Sequence, residues 1–283
     1  MPADPPTSLR SRVRLNQGTE IPWVGLGVFL SEPGPTTERA VRAALAAGYR
    51  MIDTAAMYRN EEDVGRAVRA SGLAREEVFV TTKLWFSEQG YESALRAGRE
   101  SLARLGLGYI DLYLIHWPRA PTPQHRLDSW RALERLREEG VCRAIGVSNY
   151  AIRHLEELAA VATVVPAVDQ VEMHPWVYDP ELIAYLDAHG IRTEAYSPLT
   201  RGRSLNDPTV GAIAAARGRS PAQVLIRWGL QHGIVEIPKS TRPERIEENA
   251  RVFDFALSAD EMARLDALRG GPRVTQTDPM SIP

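Results

Sequence analysis

The sequence predicts an α/β protein on a parallel sheet, either closed into a barrel or doubly wound, and three observations lead there. Short apolar runs alternate with helix-like segments from about residue 24 to residue 250, the pattern of strands joined by helical crossovers. Glycine stands where several helices give way to strands, at Gly48, Gly106, Gly140, Gly190 and Gly233, as expected where a helix ends in a left-handed residue. The length, 283 residues, fits two small domains or one α/β barrel of ~250 residues. No tandem repeat, low-complexity linker or charge block divides the chain. One domain over 1–283 is the simplest reading, with 1–10 and 270–283 as loose tails.

Taken in order, Val13 to Ile21 carries Asn16-Gln17-Gly18 between apolar flanks and reads as a β-hairpin. Val24–Val28 begins the strand series. It continues with Met51–Ile52, Val78–Thr82, Ile110–Ile115, Ala144–Val147, Ala167–Val171, Arg192–Tyr196 and Val235–Ile237. Helices are expected over roughly 36–47, 61–71, 91–105, 127–139, 151–161, 180–189, 207–217 and 243–250. Two more amphipathic segments, 221–231 and 258–268, look like late additions to the alternation.

Composition narrows the function. With 44% hydrophobic and 25% charged residues the chain can bury a sizeable core. A formal charge of -2 gives no basic footprint for nucleic acid. The single cysteine, Cys142, rules out a disulfide framework or a cysteine-based zinc site within one chain and reads as a small buried hydrophobe. The Pro-rich N-terminus is no signal peptide, and no window approaches the ~18 apolar residues of a membrane span. A cytoplasmic monomer acting on a small molecule, without nucleic acid, membrane or metal, is the default. One bias stands out: of 34 basic residues only Lys83 and Lys239 are lysine. Either two lysines survived by chance, or these sites need a compact ammonium whose pKa responds to its surroundings.

Familiar cofactor motifs fail. Gly25-Leu26-Gly27 follows a strand, but Leu30 stands where G-x-G-x-x-G needs its third glycine. There is no Gly-rich phosphate loop. Four residues before Lys83 is Phe79 and before Lys239 is Val235, so no Tyr-x-x-x-Lys pair exists. What recurs is polar residues at strand ends: Asp53; Lys83 after Val78–Thr82; His116 after Ile110–Ile115; Ser148-Asn149; Gln170; Ser197; and Lys239-Ser240. One such end is usually a cap or a solvent contact. A succession of them points to a shared mouth, which a closed barrel would provide.

The chemistry these residues offer is proton transfer by a tyrosine. A free phenol, with a pKa of about 10, is a poor acid near neutrality. A neighbouring ammonium favours the phenolate. Lys83 could do this for Tyr58, with Asp53 holding the ammonium and His116 orienting a carbonyl; the rival is that Asp53–Lys83 is only a structural ion pair. Ile237-Pro238-Lys239-Ser240-Thr241-Arg242 runs into a helix start. Its amides with Lys and Arg form an anion site, or else a capped helix with a solvated basic turn.

In these residues the chain resembles the aldo-keto reductase family. The match runs from about Val13 to Phe255 and rests on several long motifs in one order: Asp53-Thr54-Ala55…Tyr58…Asn60-Glu61; Thr81-Thr82-Lys83-Leu84-Trp85; Asp111 to Pro118; Gly146-Val147-Ser148-Asn149; Gln170 to Pro175; and Ile237-Pro238-Lys239-Ser240…Arg245…Glu248-Asn249. The Gly27-Val28-Phe29 ending of the first strand looks most like the bacterial 2,5-diketogluconate reductase branch.

The resemblance implies a (β/α)8 TIM barrel with an N-terminal β-hairpin and extra C-terminal helices. It implies NADPH-dependent reduction of aldehydes, dicarbonyls or keto sugars, with Tyr58 as proton donor and Asp53, Lys83 and His116 as its catalytic partners. By the same resemblance Ser148, Asn149 and Gln170 hold the nicotinamide carboxamide of NADPH and Tyr196 stacks on its ring. Lys239, Ser240 and Arg245 hold the 2′-phosphate, Glu248 and Asn249 the adenine end, and Ser197, Leu199 and Thr241 also belong to the cofactor site. Phe29, Met57, Trp85 and Trp117 line the substrate pocket. Asp169 stands where the family pattern leads one to expect Asn. The short segments after His116 and after Arg269 imply an open mouth with broad substrate acceptance. Two rivals remain: an NADPH-holding sensor on the same barrel, against which the complete set of four catalytic residues argues, and a barrel lyase or hydrolase, which would bind no NADPH.

Overall fold

The computed structural model describes residues 6–275 and 277–283. Residues 1–5 of the expected N-terminal tail lie outside them. The chain opens with the antiparallel hairpin β1 (Arg12–Arg14) and β2 (Glu20–Pro22), with Val13 opposite Ile21. Gln17 in its turn ties the hairpin to the barrel floor, donating to the Ile145 carbonyl at 3.0 Å and accepting from the Ile145 amide at 3.0 Å.

Eight parallel strands follow: β3 (Leu26–Gly27), β4 (Met51–Asp53), β5 (Phe79–Leu84), β6 (Ile110–Ile115), β7 (Cys142–Ser148), β8 (Val168–Glu172), β9 (Arg192–Tyr196) and β10 (Val235–Ile237). They pair in chain order. The first and last are joined by Gly25 N–H to the Glu236 carbonyl (2.8 Å), Glu236 N–H to the Trp23 carbonyl (2.9 Å) and Gly27 N–H to the Pro238 carbonyl (3.2 Å). These bonds close the sheet, so the fold is the (β/α)8 barrel and not the doubly wound alternative. Gly27 is required there: a Cβ at this position would stand 2.9 Å from the Ile237 carbonyl oxygen.

The outer ring is α1 (Pro35–Ala46), α2 (Glu61–Arg69), α3 (Tyr91–Leu105), α4 (Pro123–Glu138), α5 (Ile152–Ala159), α6 (Pro180–Ala188), α7 (Pro208–Arg217), α8 (Pro221–Gln231), α9 (Pro243–Ala250) and α10 (Ala259–Asp266). Helix α4 begins four residues before the expected 127. Thr122 accepts from the His125 amide and Pro123 sits at the first helical position, both start signals for a helix. The five junction glycines all have positive φ. Cys142 is buried, and burial pushes its thiol up to about 12, in keeping with a packing role.

The C-terminal segment does not hang loose as expected. Gly270 and Gly271 donate to the Trp176 carbonyl, each at 3.1 Å. The Val274 amide donates to Glu172 Oε1 at 2.6 Å and the Thr275 amide to Glu172 Oε2 at 3.0 Å. Farther on, Arg153 donates to the Met280 and Ile282 carbonyls, His154 Nε2 lies 3.0 Å from the Ile282 carbonyl oxygen, and Arg126 reaches the Pro283 carbonyl at 2.9 Å. The segment is a strap from β8 to α4 and α5 across one side of the mouth. The mouth is therefore walled on that side, contrary to the open one expected from loop length.

Candidate active site

The strand alternation sends one set of side chains into the lumen. Gln170 on β8 donates to Asp53 Oδ2 on β4 at 2.8 Å and to Glu194 Oε2 on β9 at 2.9 Å. Strands β4 and β8 are not neighbours, so the first of these bonds crosses the barrel. Lys83, at the end of β5, joins the group with its side chain fully buried. Its ammonium donates to Asp53 Oδ1 (2.6 Å), the Thr54 carbonyl (3.0 Å) and the Tyr58 hydroxyl (3.4 Å). All three ammonium donors are used. Tyr58 comes from a 3₁₀ turn, Ala56–Tyr58, just past β4. Its ring meets Phe29 at 4.9 Å and the His116 ring edge-on at 5.7 Å between centroids.

Above this group opens a cavity of about 620 Å³. Asp53, Tyr58 and His116 face it; Lys83 stands behind them. Of the residues expected to hold the cofactor, Asn149, Gln170, Tyr196, Ser197 and Leu199 line the wall. Ser148 does not: it is fully buried, its hydroxyl donating to the Gln170 carbonyl at 2.7 Å and receiving Asn149 Nδ2 at 3.0 Å. It supports Asn149 and Gln170 from behind. At the far end Lys239, Ser240, Arg245, Glu248 and Asn249 line the wall, while Thr241 does not. Phe29, Met57 and Trp117 line the near end, and Trp85 belongs to a smaller adjoining cavity. Asp169, between inward Val168 and Gln170, points away from the lumen and receives the Tyr150 amide at 3.4 Å. Burial pushes its carboxyl well above the usual range.

The electrostatics follow from the packing. Burial raises the Tyr58 pKa, and the Lys83 ammonium opposes this without reversing it, so the phenol holds its proton at neutral pH. For Lys83 burial favours the neutral amine, but Asp53, with Tyr58 and Glu194, together outweigh it and the net shift is upward. Burial, with Lys83 nearby, drives the His116 pKa well below its ordinary 6.5; the imidazole is neutral. Glu194, beneath Asp53, is pushed up to about 8 by burial and by the Asp53 charge.

Several cavity residues carried no sequence signal: Arg201, Leu205, Asn206, Ser220, Pro221 and Thr275. Arg201 follows Thr200 in a turn where both residues have positive φ, 53° and 50°. Leu30, Arg59, Asn149 and Ser197 are left-handed too, and all six lie at the mouth. Backbone held this way away from glycine marks sites where the surroundings dictate geometry.

The donor set suits an extended dinucleotide phosphate. Lys239 and Arg245 have no carboxylate within 4.0 Å among the described residues, although both line the cavity. The Tyr196 ring is held by its hydroxyl donating to Asn149 Oδ1 at 2.7 Å. The family model described as "Aldo/keto reductase family" matches residues 32–269. The chain belongs to the aldo/keto reductase family. It is 51% identical over 269 residues to a glyoxal reductase of Bacillus subtilis, covering 95% of this chain and 96% of that protein. An aldo/keto reductase structure from Brucella melitensis superposes with a TM-score of 0.87 at 46% identity, covering 91% of this chain and 99% of that one. A Bombyx mori aldo-keto reductase in complex with NADP gives 0.87 at 37% identity, covering 94% and 95%. As an aldo/keto reductase the protein is an NADP-dependent oxidoreductase of carbonyl compounds.

Proposed function

We propose that the protein reduces small aldehydes, dicarbonyls and keto sugars to alcohols, with Tyr58 as the proton donor. The observation that carries this is the Lys83 ammonium, 3.4 Å from the Tyr58 hydroxyl and anchored by Asp53 at 2.6 Å, at the floor of a cavity whose far end carries Lys239 and Arg245, without a carboxylate partner among the described residues. NADPH, when bound, supplies the hydride that the carbonyl carbon receives. Tyr58 gives its proton to the carbonyl oxygen as negative charge builds there. The phenolate left behind is stabilised by Lys83, which is why the acid can be both protonated at rest and a competent donor. Asp53 and the Thr54 carbonyl fix the ammonium.

Neutral His116 orients the substrate. Its Nδ1 is buried without a partner among the described residues. A bare lone pair is the less costly orphan there, so the proton belongs on Nε2, aimed at the carbonyl oxygen. Asn149, Gln170 and Tyr196 hold the nicotinamide end, and Lys239, Ser240 and Arg245 the 2′-phosphate, for which a guanidinium fork is suited. Consumption of NADPH on adding glyoxal, methylglyoxal or a simple aromatic aldehyde tests the reading; glyoxal is included because of the named relative. Turnover of several of these is expected. No turnover with any carbonyl of a broad panel contradicts it.

A further inference from the structure

The cavity that contains Trp85 is about 370 Å³ and opens beside the reaction floor. It shares Trp117, Arg201 and Thr275 with the larger cavity, so a molecule with its carbonyl at Tyr58 and His116 can extend into it. Among the described residues its walls carry three arginines, Arg119, Arg201 and Arg203, and no aspartate or glutamate. None of the three has a carboxylate within 4.0 Å among the described residues. Asp278, next to the lining Thr277, turns to Arg273 at 3.8 Å instead.

Two of the guanidinium groups rest near aromatic rings. Arg119 Cζ lies 5.9 Å from the centre of Phe86, and Arg201 Cζ lies 5.2 Å from the centre of Phe29. All three arginines are exposed, so their N–H forks are open to a ligand, and pairing made there is weakened by salt. Arginine forks pair with planar carboxylates and with phosphates through two parallel hydrogen bonds. Three like charges at one opening are mutually unfavourable and gain from an anion between them.

We infer that this second cavity receives an anionic group of the substrate. The preferred substrates are then aldehydes or ketones that carry a carboxylate or a phosphate at the end remote from the carbonyl. The inference rests on the carbonyl-reductase reading of Tyr58 and adds to it a charge preference. Arg201 faces both cavities and so also lies near the cofactor. The test therefore uses Arg119 and Arg203, which line only the second cavity.

The experiment compares matched pairs at saturating NADPH: 4-carboxybenzaldehyde against its methyl ester, and glyceraldehyde 3-phosphate against glyceraldehyde. The ester withdraws electrons more strongly than the carboxylate, so intrinsic reactivity runs against the expected order. The anionic member should have a kcat/KM about tenfold higher at low ionic strength, falling with added NaCl while the neutral member stays constant. The two pairs separate carboxylate from phosphate preference. In the Arg119→Gln/Arg203→Gln double variant the anionic advantage should disappear through KM, with the neutral substrates and the NADPH KM unchanged.

Equal kcat/KM for charged and neutral members in the native enzyme overturns the inference. So does an equal loss on both in the variant, or a rise in the NADPH KM, which would place these arginines on the cofactor. If no aldehyde is reduced, the reductase reading fails by itself. Quenching of tryptophan fluorescence by 4-(hydroxymethyl)benzoate in the NADP⁺-loaded protein then decides the anion site. Quenching in the native protein that is lost in the double variant supports the site, and no difference between them removes it.

Discussion

Glu194 lies in the lumen beneath Asp53, joined to it through the Gln170 amide, and its environment makes a prediction about stability. Burial and the Asp53 charge raise its pKa to about 8, against an unfolded value of about 4.3. Between those values the folded protein keeps a proton that the unfolded chain releases. Stability therefore falls as pH rises through this window, by an amount on the order of a few kcal/mol. Glu194→Gln removes that slope and should raise the melting temperature relative to the native protein more at pH 8 than at pH 5. Asp169, raised by burial, remains in both proteins, while Glu236, raised by burial and then by the Glu194 charge, is eased in the variant, which acts in the same direction. Parallel melting curves against pH would refute the assignment. At this scale Asp53, Lys83 and His116 were legible because each ends an apolar run, and Tyr58 because it follows Asp53 by five residues. The Asp53–Gln170 bond was not, since it joins residues 117 apart in sequence and depends on closure of the barrel.

The strap, residues 270–275 and 277–283, depends on Glu172 at the end of β8. Its two carboxylate oxygens take the Val274 amide, the Thr275 amide and the Thr275 hydroxyl, and Oε1 lies 3.1 Å from His174 Nε2. Burial alone would raise its pKa, but bonds from His174, Thr275 and Val274 outweigh this and bring it to about 2. The strap's contribution is thus present above the unfolded value of about 4.3 and lost as pH falls towards 2. Glu172→Ala leaves these donors unpartnered and should cost about 1–3 kcal/mol. Amide exchange at Val274 and Thr275 should quicken markedly, and unchanged exchange at both would show that the strap is held by other contacts. The sequence gives no warning of this element because much of its docking is through backbone. The amides of 270, 271, 274 and 275 donate, and the carbonyls of 280, 282 and 283 accept, groups that every residue type carries. Helices were legible by contrast, because amphipathic segments alternate with the apolar runs and glycines such as Gly106, Gly140 and Gly190 close them.

At the scale of the molecule, closure of the sheet turns separate strand ends into one site. Asp53 from β4, Lys83 from β5, His116 after β6, Gln170 from β8 and Lys239 after β10 come to one face. The order of elements made a parallel sheet legible, and the number of strand ends bearing polar groups favoured closure. The arginine-lined cavity was not legible, because Arg119, Arg201 and Arg203 lie in loops with no periodic pattern and meet only through the strap and the turn after β9. The central claim is that Tyr58 supplies the proton while Lys83, held by Asp53, makes that loss possible. The measurement that tests it most directly is NADPH oxidation with methylglyoxal by Tyr58→Phe, with cofactor affinity followed by fluorescence. The ring and its packing on Phe29 are kept and only the hydroxyl is removed. The predicted result is a fall in kcat of at least about 10²-fold with NADPH binding unchanged, whereas turnover near the native rate would contradict the account.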